Sequence, residues 1–296
     1  MLPTPGLPSF DYIKPASAKE VTKLLLKRNG DARLFMGGTD VFVRMRDGFI
    51  TPKFLIDIKR LSGMTAIKFS KRAGLTIGAG ADMNSIARHP AVVENYPLLA
   101  EAIDAVAAYQ LRTRATMGGN LCNASPAADT APAALVLGAN LVLHGRRGER
   151  VVPAEKFFLG PGKTAMKPGE FLLRIEIPPP PKGAVGKYMK LGRNAHGDLA
   201  IVGVAVLGHP DKRAKSGYTF RVALASVAPT PIRVPKAEAI LASSPTTPEV
   251  IECAATAAME TAKPISDIRS SAEYRKAMVK TLTRRAIESV LKQLSA

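Results

Sequence analysis

The chain has 296 residues, 46% of them hydrophobic, and a formal net charge of +18. This length predicts about two domains with a sizeable core. There is no apolar run long enough for a membrane span, and the opening MLPTPGLPSFDYIK lacks the features of a signal peptide, so we expect a cytoplasmic protein. Its two cysteines, Cys122 and Cys253, lie far apart and in no CxxC motif, which argues against a disulfide framework or a metal site.

The positive charge is the one extreme of the composition. A nucleic-acid-binding protein would need clustered basic residues with stacking aromatics, or a known binding module. Here aromatic residues make up 5% of the chain, tryptophan is absent, and Lys and Arg are spread along the whole sequence. We interpret the basic residues as solvated faces or as patches that meet acidic partner subunits, and we expect no nucleic-acid partner. Nucleic-acid binding is kept as a third interpretation to be tested.

The first third of the chain predicts alternating helices and strands. Residues 17–20 have the spacing of a capping box and open a helix that Gly30 ends. Residues 32–48 are typical of a short strand to Met36, a glycine turn, and a helix that starts near Thr39 and Asp40. Further strands are predicted at 54–58 and 75–81, followed by helical segments over 85–107 that break near Pro90 and Pro97.

The middle of the chain predicts strands at 133–145, 149–158 and 170–177, arranged around glycine turns. Four consecutive prolines follow at 178–181, and they favour a stiff extended connection because proline continues neither a sheet nor a helix. We place the domain boundary there. The predicted domains are therefore 1–181, with subdomains of about 1–60 and 61–181, and 182–296.

The C-terminal domain predicts an antiparallel sheet covered by helices. Strands are expected at 187–191, 200–208 and 218–227, and helices at about 248–262 and 272–294. In the last helix the apolar residues share one face while Lys and Arg occupy the other. Strands packed under helices indicate the α+β class for this part of the chain.

Two glycine pairs, in MGGTD at 36–40 and TMGGN at 116–120, are the clearest functional signal. Paired glycines let a backbone approach a ligand closely and present its N–H groups, which a diphosphate requires. Each pair alone is more typical of an ordinary turn, and neither matches the GxGxxG or GxxxxGK[ST] pattern. No nucleophile with its base, and no catalytic carboxylate pair, can be assembled. We therefore name no catalytic residue.

Five longer segments follow one another through nearly the whole chain. They are LFMGGTDVFVRMRDGFITPKFLIDIKRL, LTIGAGADMNSIARHPAVVENYPLLAEA, QLRTRATMGGNLCNASPAADTAPAALVLGA, FFLGPGKTAMKPGEFLLRIEIP and KYMKLGRNAHGDLAIVGVAV. Together they resemble the FAD-binding medium subunit of the molybdenum hydroxylases, a family that includes xanthine dehydrogenase and aerobic-type carbon monoxide dehydrogenase. The resemblance implies an FAD-binding domain of the vanillyl-alcohol oxidase and para-cresol methylhydroxylase type, built from two α/β subdomains, and a smaller C-terminal α+β domain.

The resemblance also implies the residues that hold FAD. A first loop would contact the diphosphate, and a second loop would complete the diphosphate site. Asp129 would accept hydrogen bonds from ribityl or ribose hydroxyls. Lys190 would bring a positive charge towards the cofactor. Leu172 and Leu199 would pack on it. The implied loop residues are Leu34, Phe35, Met36, Gly37, Gly38, Thr39 and Asp40 in the first loop, and Thr116, Gly118, Gly119 and Asn120 in the second.

The resemblance finally implies a role in electron transfer. A large partner subunit would carry the molybdenum cofactor, and a small one would carry two [2Fe–2S] clusters that pass electrons to FAD on this chain. The acceptor would be NAD+, a quinone or a carrier protein, and the complex would be a heterotrimer or a dimer of heterotrimers. The alternative is a stand-alone FAD-dependent oxidase or dehydrogenase with its own substrate pocket.

Overall fold

The computed structural model describes residues 6–28, 30–194 and 197–295. The first five residues, which bear on the expected absence of a signal peptide, lie outside the described residues. The described part of the chain forms sheets of three, five and four strands and a two-stranded ribbon. Within those ranges, no helix is both long and apolar enough to cross a membrane.

The first sheet is parallel, with strand order β1-β3-β2. The predicted capping box is confirmed, because the Ser17 side chain accepts a hydrogen bond from the Glu20 N–H at the start of the first helix. The predicted strand, glycine turn and helix also follow one another as expected. The elements are β1 (Asp11–Ile13), α1 (Ala18–Lys27), β2 (Ala32–Phe35), α2 (Val41–Arg46) and β3 (Phe54–Asp57).

The second sheet is antiparallel, with strand order β4-β5-β10-β6-β7. Six short helices lie between β5 and β6. The elements are β4 (Ile67–Ser70), β5 (Gly74–Gly78), α3 (Met83–Arg88), α4 (Pro90–Asn95), α5 (Pro97–Asp104), α6 (Tyr109–Arg112), α7 (Met117–Asn123), α8 (Thr130–Val136), β6 (Asn140–Gly145), β7 (Gly148–Pro153), a 3-10 turn (Ala154–Lys156), the ribbon strands β8 (Phe158–Gly160) and β9 (Lys163–Thr164), and β10 (Phe171–Ile177).

One predicted strand is wrong at its beginning. Residues 133–136, expected to start a strand, form the end of helix α8, and the strand begins only at Asn140. Every residue of α8 is buried, so no exposed face produces a helical period in the sequence. Alanine, which is frequent in this segment, has the highest helix propensity of all residues.

The third sheet is antiparallel and lies between two cores. One face of the sheet packs against the core of the first two sheets, through Tyr188, Ala205, Leu207 and Ala223. The opposite face packs against the C-terminal helices. These observations confirm the predicted α+β class, with helices covering the C-terminal sheet. The elements are β11 (Val185–Leu191), β12 (Val202–Pro210), β13 (Tyr218–Ala225), β14 (Ile232–Arg233), α9 (Pro235–Ser243), α10 (Pro248–Thr261) and α11 (Ala272–Leu294).

Arg275 of α11 is a buried cation that ties this helix to the sheet. Only 1% of the surface of this residue is exposed. The guanidinium donates to the carbonyl oxygens of Ile201 and Ser226, each at 3.0 Å, and to the Asp267 carboxylate at 2.7 Å. The Ser226 N–H donates in turn to the carbonyl oxygen of Pro126 at 2.7 Å. A charge at this depth is tolerated because it is paired and hydrogen-bonded.

We expect Asp267 to make folding stability depend on acid pH. Burial by itself raises the pKa of Asp267, but hydrogen bonds from Arg269 and Arg275 outweigh burial and hold this pKa well below its ordinary value. Because the folded-state pKa is depressed, the stabilisation is complete above the unfolded pKa of about 3.9. It is lost as the pH falls from there towards the folded-state pKa.

Urea unfolding of the wild type and of Asp267→Asn, from neutral pH down to about pH 3, measures this contribution. The variant should be less stable at neutral pH, since Arg275 then lacks its carboxylate partner, and its stability should vary less with acid pH. Parallel pH profiles for the two proteins would show that Asp267 does not contribute.

Candidate functional site: a cavity between two glycine pairs

Three glycines of the two pairs, Gly37, Gly38 and Gly119, line one cavity of about 620 Å³. The turn between β2 and α2 forms one wall, and the first turn of α7 with the start of α8 forms another. Leu172 of β10 and residues 197–199, which precede the second strand of the third sheet, contribute further surface. The cavity falls within the roughly 300–1,000 Å³ that is usual for small-molecule and cofactor sites. Segments almost eighty residues apart in the sequence are thus brought together.

The first pair allows the β2–α2 turn to pack against the chain just before α7. A Cβ atom on Gly37 would lie 2.0 Å from the carbonyl oxygen of Arg114, so only glycine fits there. Gly38 has φ +77°, in the left-handed region that glycine adopts without strain. Gly37 therefore serves the contact between the two loops, and Gly38 turns the backbone along the cavity wall.

The second pair begins a helix, and the predicted turn at TMGGN is wrong. Thr116 is the N-cap of α7, and its hydroxyl accepts a hydrogen bond from the Gly119 N–H at 3.0 Å. A Cβ atom on Gly118 would lie 2.4 Å from the Ala79 carbonyl oxygen, so close packing against Ala79 requires glycine at this position. A Cβ atom on Gly119 would meet only the Thr116 hydroxyl oxygen, at 2.9 Å. Gly119 therefore presents open backbone to the cavity.

Asp129, directly before α8, is a buried carboxylate on the cavity wall, with 5% of its surface exposed. The Tyr188 hydroxyl donates to one of its oxygens at 2.6 Å and the Lys190 ammonium to the other at 2.8 Å. Burial raises the pKa of Asp129, and the Lys190 charge with both hydrogen bonds opposes that rise. Burial and the neighbouring carboxylate also raise the pKa of Tyr188 well above its ordinary value, so Tyr188 is a neutral donor.

The structure brings most of the predicted site residues to the cavity. Three do not line it. Phe35 turns away into the core, where the Lys59 ammonium lies 3.8 Å from its ring centroid. Gly118 packs against Ala79, and the Lys190 ammonium is bound to Asp129 and to the Ala105 carbonyl oxygen. The residues that line the cavity are Leu34, Met36, Gly37, Gly38, Thr39, Asp40, Thr116, Gly119, Asn120, Asp129, Leu172 and Leu199.

Several cavity residues were missed by the sequence analysis. Arg33 and Arg44 line the cavity on either side of the first glycine pair, and their charges suit a diphosphate. Basic residues flanking that motif are a signal that could have identified them. Ala107 also lines the cavity with φ +45°, a strained conformation for alanine that its sequence does not reveal. Leu111 and Val106 add apolar surface beside it.

Cys122, next to the second glycine pair, lines the cavity as a free thiol. Burial raises its pKa to about 12, so the thiol is protonated at neutral pH. A protonated thiol is neither a nucleophile nor a metal ligand. We therefore interpret Cys122 as a small residue that fills space beside the cavity.

The cavity offers what each part of a flavin dinucleotide needs. Open backbone at Gly119 and the arginines of the cavity wall suit the diphosphate, the fixed Asp129 carboxylate suits the hydroxyls, and the apolar side chains suit the ring. The cavity therefore fits FAD, and the fold and site define a dinucleotide-binding flavoprotein. The profile of the FAD binding domain in molybdopterin dehydrogenase matches residues 8–180. That of the CO dehydrogenase flavoprotein C-terminal domain matches residues 187–290. The chain belongs to this family of FAD-binding subunits.

Similar proteins cover almost the whole chain. The carbon monoxide dehydrogenase medium chain of Hydrogenophaga pseudoflava is 35% identical over 285 residues, which are 95% of this chain and 97% of that protein. A putative xanthine dehydrogenase FAD-binding subunit of Escherichia coli strain K12 is 31% identical over 90% of this chain and 91% of its own length. The solved carbon monoxide dehydrogenase of Hydrogenophaga pseudoflava superposes with a TM-score of 0.93 at 34% identity, covering 97% of this chain and 99% of that one.

Proposed function

We propose that this chain is the FAD-carrying electron-transfer subunit of a multi-subunit molybdenum-containing hydroxylase or dehydrogenase. The observation that carries the proposal is that Gly37 and Gly38 of the first pair and Gly119 of the second line one cavity, with Gly119 presenting open backbone to it. The relatives support the same conclusion, since they are medium chains or FAD-binding subunits of such complexes and match this chain over nearly its full length. None of these observations favours the alternative of a stand-alone oxidase.

FAD would be held by groups from both walls of the cavity. The backbone of residues 36–39 and the Thr116 and Thr39 hydroxyls would meet the diphosphate, and Arg33 and Arg44 would balance its charge. Gly119, whose N–H is bonded to Thr116, would let the diphosphate come close because it has no side chain. Asp129 would accept from sugar-like hydroxyls, and Leu172 and Leu199 would pack on the ring. Leu199 is 61% exposed, so it is accessible from solvent. We propose residues 1–181 as the FAD-binding domain and 182–296 as the second domain.

FAD supplies the redox chemistry of this subunit, since it accepts electrons singly and delivers them in pairs. The residues of this chain bind and orient the cofactor and set the charge around it. Lys190 is not a free charge in this setting, because its ammonium is paired with Asp129. The electrostatic influence of that pair on the cofactor is therefore smaller than a lone lysine would exert.

The partners follow from the family. We propose a large subunit with the molybdenum cofactor, where substrate reacts, and a small subunit with two [2Fe–2S] clusters, assembled with this chain as a heterotrimer or a dimer of heterotrimers in the cytoplasm. The relatives are named for carbon monoxide and for xanthine, so chains of this type serve different substrates. Patches of the basic surface, with the chain at +18, are suited to acidic faces of these partners.

Purification from the native host through a tag on this chain tests the proposal. We expect co-purification of a molybdenum-containing large chain and an iron–sulfur small chain, together with flavin absorbance. A chain that purifies alone with FAD and oxidises a substrate of its own would support the stand-alone alternative. Salt-sensitive DNA binding without a chromophore would support the nucleic-acid interpretation.

A further inference from the structure

A buried hydrogen-bond network connects the C-terminal sheet to the cavity. Tyr188 and Lys190 lie two residues apart on β11, so both side chains extend from the same face of the strand. Met189 between them packs on the opposite core. Neither Tyr188 nor Lys190 lines the cavity, whereas Asp129, which both of them contact, does. The network therefore acts on the cavity only through Asp129.

The position of the Tyr188 hydroxyl is fixed from several sides. The backbone N–H of Tyr188 donates to Glu101 of α5 at 2.9 Å, which anchors the strand at this residue. On β12, Gly203 lies opposite Lys190, and a Cβ atom there would be 2.8 Å from the Tyr188 hydroxyl oxygen. Glycine at 203 thus leaves the room that the hydroxyl occupies.

The hydrogen-bonding capacity of Asp129 is only partly used by this network. A carboxylate offers about four acceptor sites, and the described contacts of Asp129 use one on each oxygen. The single O–H of Tyr188 donates to Asp129. The Lys190 ammonium, which has three donors, donates one hydrogen bond to Asp129 and one to the Ala105 carbonyl oxygen. Asp129, which lines the cavity, therefore keeps acceptor sites for further hydroxyl groups. The hydrogen bonds from Tyr188 and Lys190 hold both of its oxygens in a fixed orientation.

We propose that Tyr188 is a positioning residue of the FAD site, which orients the Asp129 carboxylate so that it accepts hydrogen bonds from the hydroxyl groups of FAD. The proposal rests on the proposed function and extends it to the C-terminal sheet. A strand outside the predicted FAD-binding domain thus contributes to cofactor affinity without touching the cofactor.

The test compares FAD binding to flavin-depleted complexes that contain wild type, Tyr188→Phe, Asp129→Asn or both substitutions. Titration with FAD, followed by flavin fluorescence, should give about ten-fold weaker binding for Tyr188→Phe, since a hydrogen bond to a charged group is lost. In the Asp129→Asn background, the same substitution should have little further effect, because the two residues act as a unit. A purely structural role of the tyrosine would give additive losses.

Tyr96→Phe is the matched control. Tyr96 is as buried as Tyr188, and its hydroxyl donates to the Pro178 carbonyl oxygen at 3.1 Å, away from Asp129. It should lose stability but not FAD affinity. If Tyr188→Phe does not fold, Gly203→Ala tests the same point, since its methyl group displaces the Tyr188 hydroxyl.

The pH dependence of FAD affinity gives a second readout. Removing the Tyr188 hydrogen bond raises the pKa of Asp129 further, so in Tyr188→Phe affinity should fall at a higher pH than in wild type as the pH is lowered. In Asp129→Asn, FAD affinity should lack the part of the pH dependence that comes from protonation of Asp129. The other titratable groups near Asp129 stay the same in all variants: Lys190 and Glu101, and on the cavity wall Arg33, Asp40, Arg44, Cys122, Glu170 and Asp198.

The outcomes are distinct. Wild-type complex that takes up no FAD contradicts the proposed function itself. FAD binding by wild type with equal affinity and an equal pH profile in Tyr188→Phe overturns the positioning role alone. Additive losses in the double variant overturn it as well.

Discussion

Replacing Gly119 with valine is expected to give a folded protein that does not bind FAD. A Cβ atom at this position meets only the Thr116 hydroxyl oxygen, so the added methyl groups extend into the cavity where the diphosphate is proposed to pass. The fold should tolerate the change, since disturbing the Thr116 cap costs about 1 kcal/mol and valine is a better helix former than glycine. The measurement is FAD content of the purified complex together with the circular dichroism of the variant.

Gly118→Ala is the control, one residue away. Its methyl group would lie 2.4 Å from the Ala79 carbonyl oxygen, so it should lower the free energy of unfolding by about 2–3 kcal/mol. The adjacent glycines thus predict opposite results, loss of cofactor at one and loss of stability at the other. Full FAD occupancy in Gly119→Val would show that the second glycine segment has been misassigned.

Arg275→Met is expected to be the most destabilising single substitution considered for this chain. It removes the buried cation, leaves the Ile201 and Ser226 carbonyl oxygens without this donor, and leaves Asp267 with Arg269 as its remaining cationic partner. Breaking a buried, hydrogen-bonded ion pair costs about 3–5 kcal/mol. Urea unfolding measured at neutral pH gives this value directly.

Arg284→Met on the same helix is the matched control. Arg284 is 41% exposed and pairs with Glu288 one turn later, so its loss should cost less than about 1 kcal/mol. Equal destabilisation by the two substitutions would mean that burial of Arg275 contributes nothing specific. FAD content should also fall in Arg275→Met, because Ser226 connects this network to Pro126, next to the cavity residues Ser125 and Ala127.

The elements that could be predicted have a periodic sequence. The helix capped by Ser17 and helix α11 each expose one face and bury the other, and strand β10 ends in alternating buried and half-buried residues. Such patterns give a period that can be recognised in the sequence. Helix α8 is buried all round and therefore has no such period. The glycines of α7 were predicted as a turn, since glycine in a helix interior is unfavourable unless close packing or a ligand requires it.

The sequence indicated which residues belong to the candidate site better than it indicated the contacts between them. Gly37, Gly38, Gly119 and Asp129 line the cavity. They could be named from the sequence because family resemblance and residue type indicate which backbone comes close to a ligand. The bond between Tyr188 and Asp129 joins residues 59 positions apart, and no local pattern predicts such a pair. For the same reason, the sequence could not show that Asp129 neutralises Lys190 or that Phe35 faces the core.

The central claim is that this chain carries the FAD of a larger complex. The most direct measurement is the FAD released on denaturation of the complex purified through a tag on this chain, expressed per chain. We expect one FAD per chain for wild type, and a complex without FAD for Gly119→Val at unchanged partner content. A wild-type complex without flavin, or flavin that remains in Gly119→Val, would contradict it.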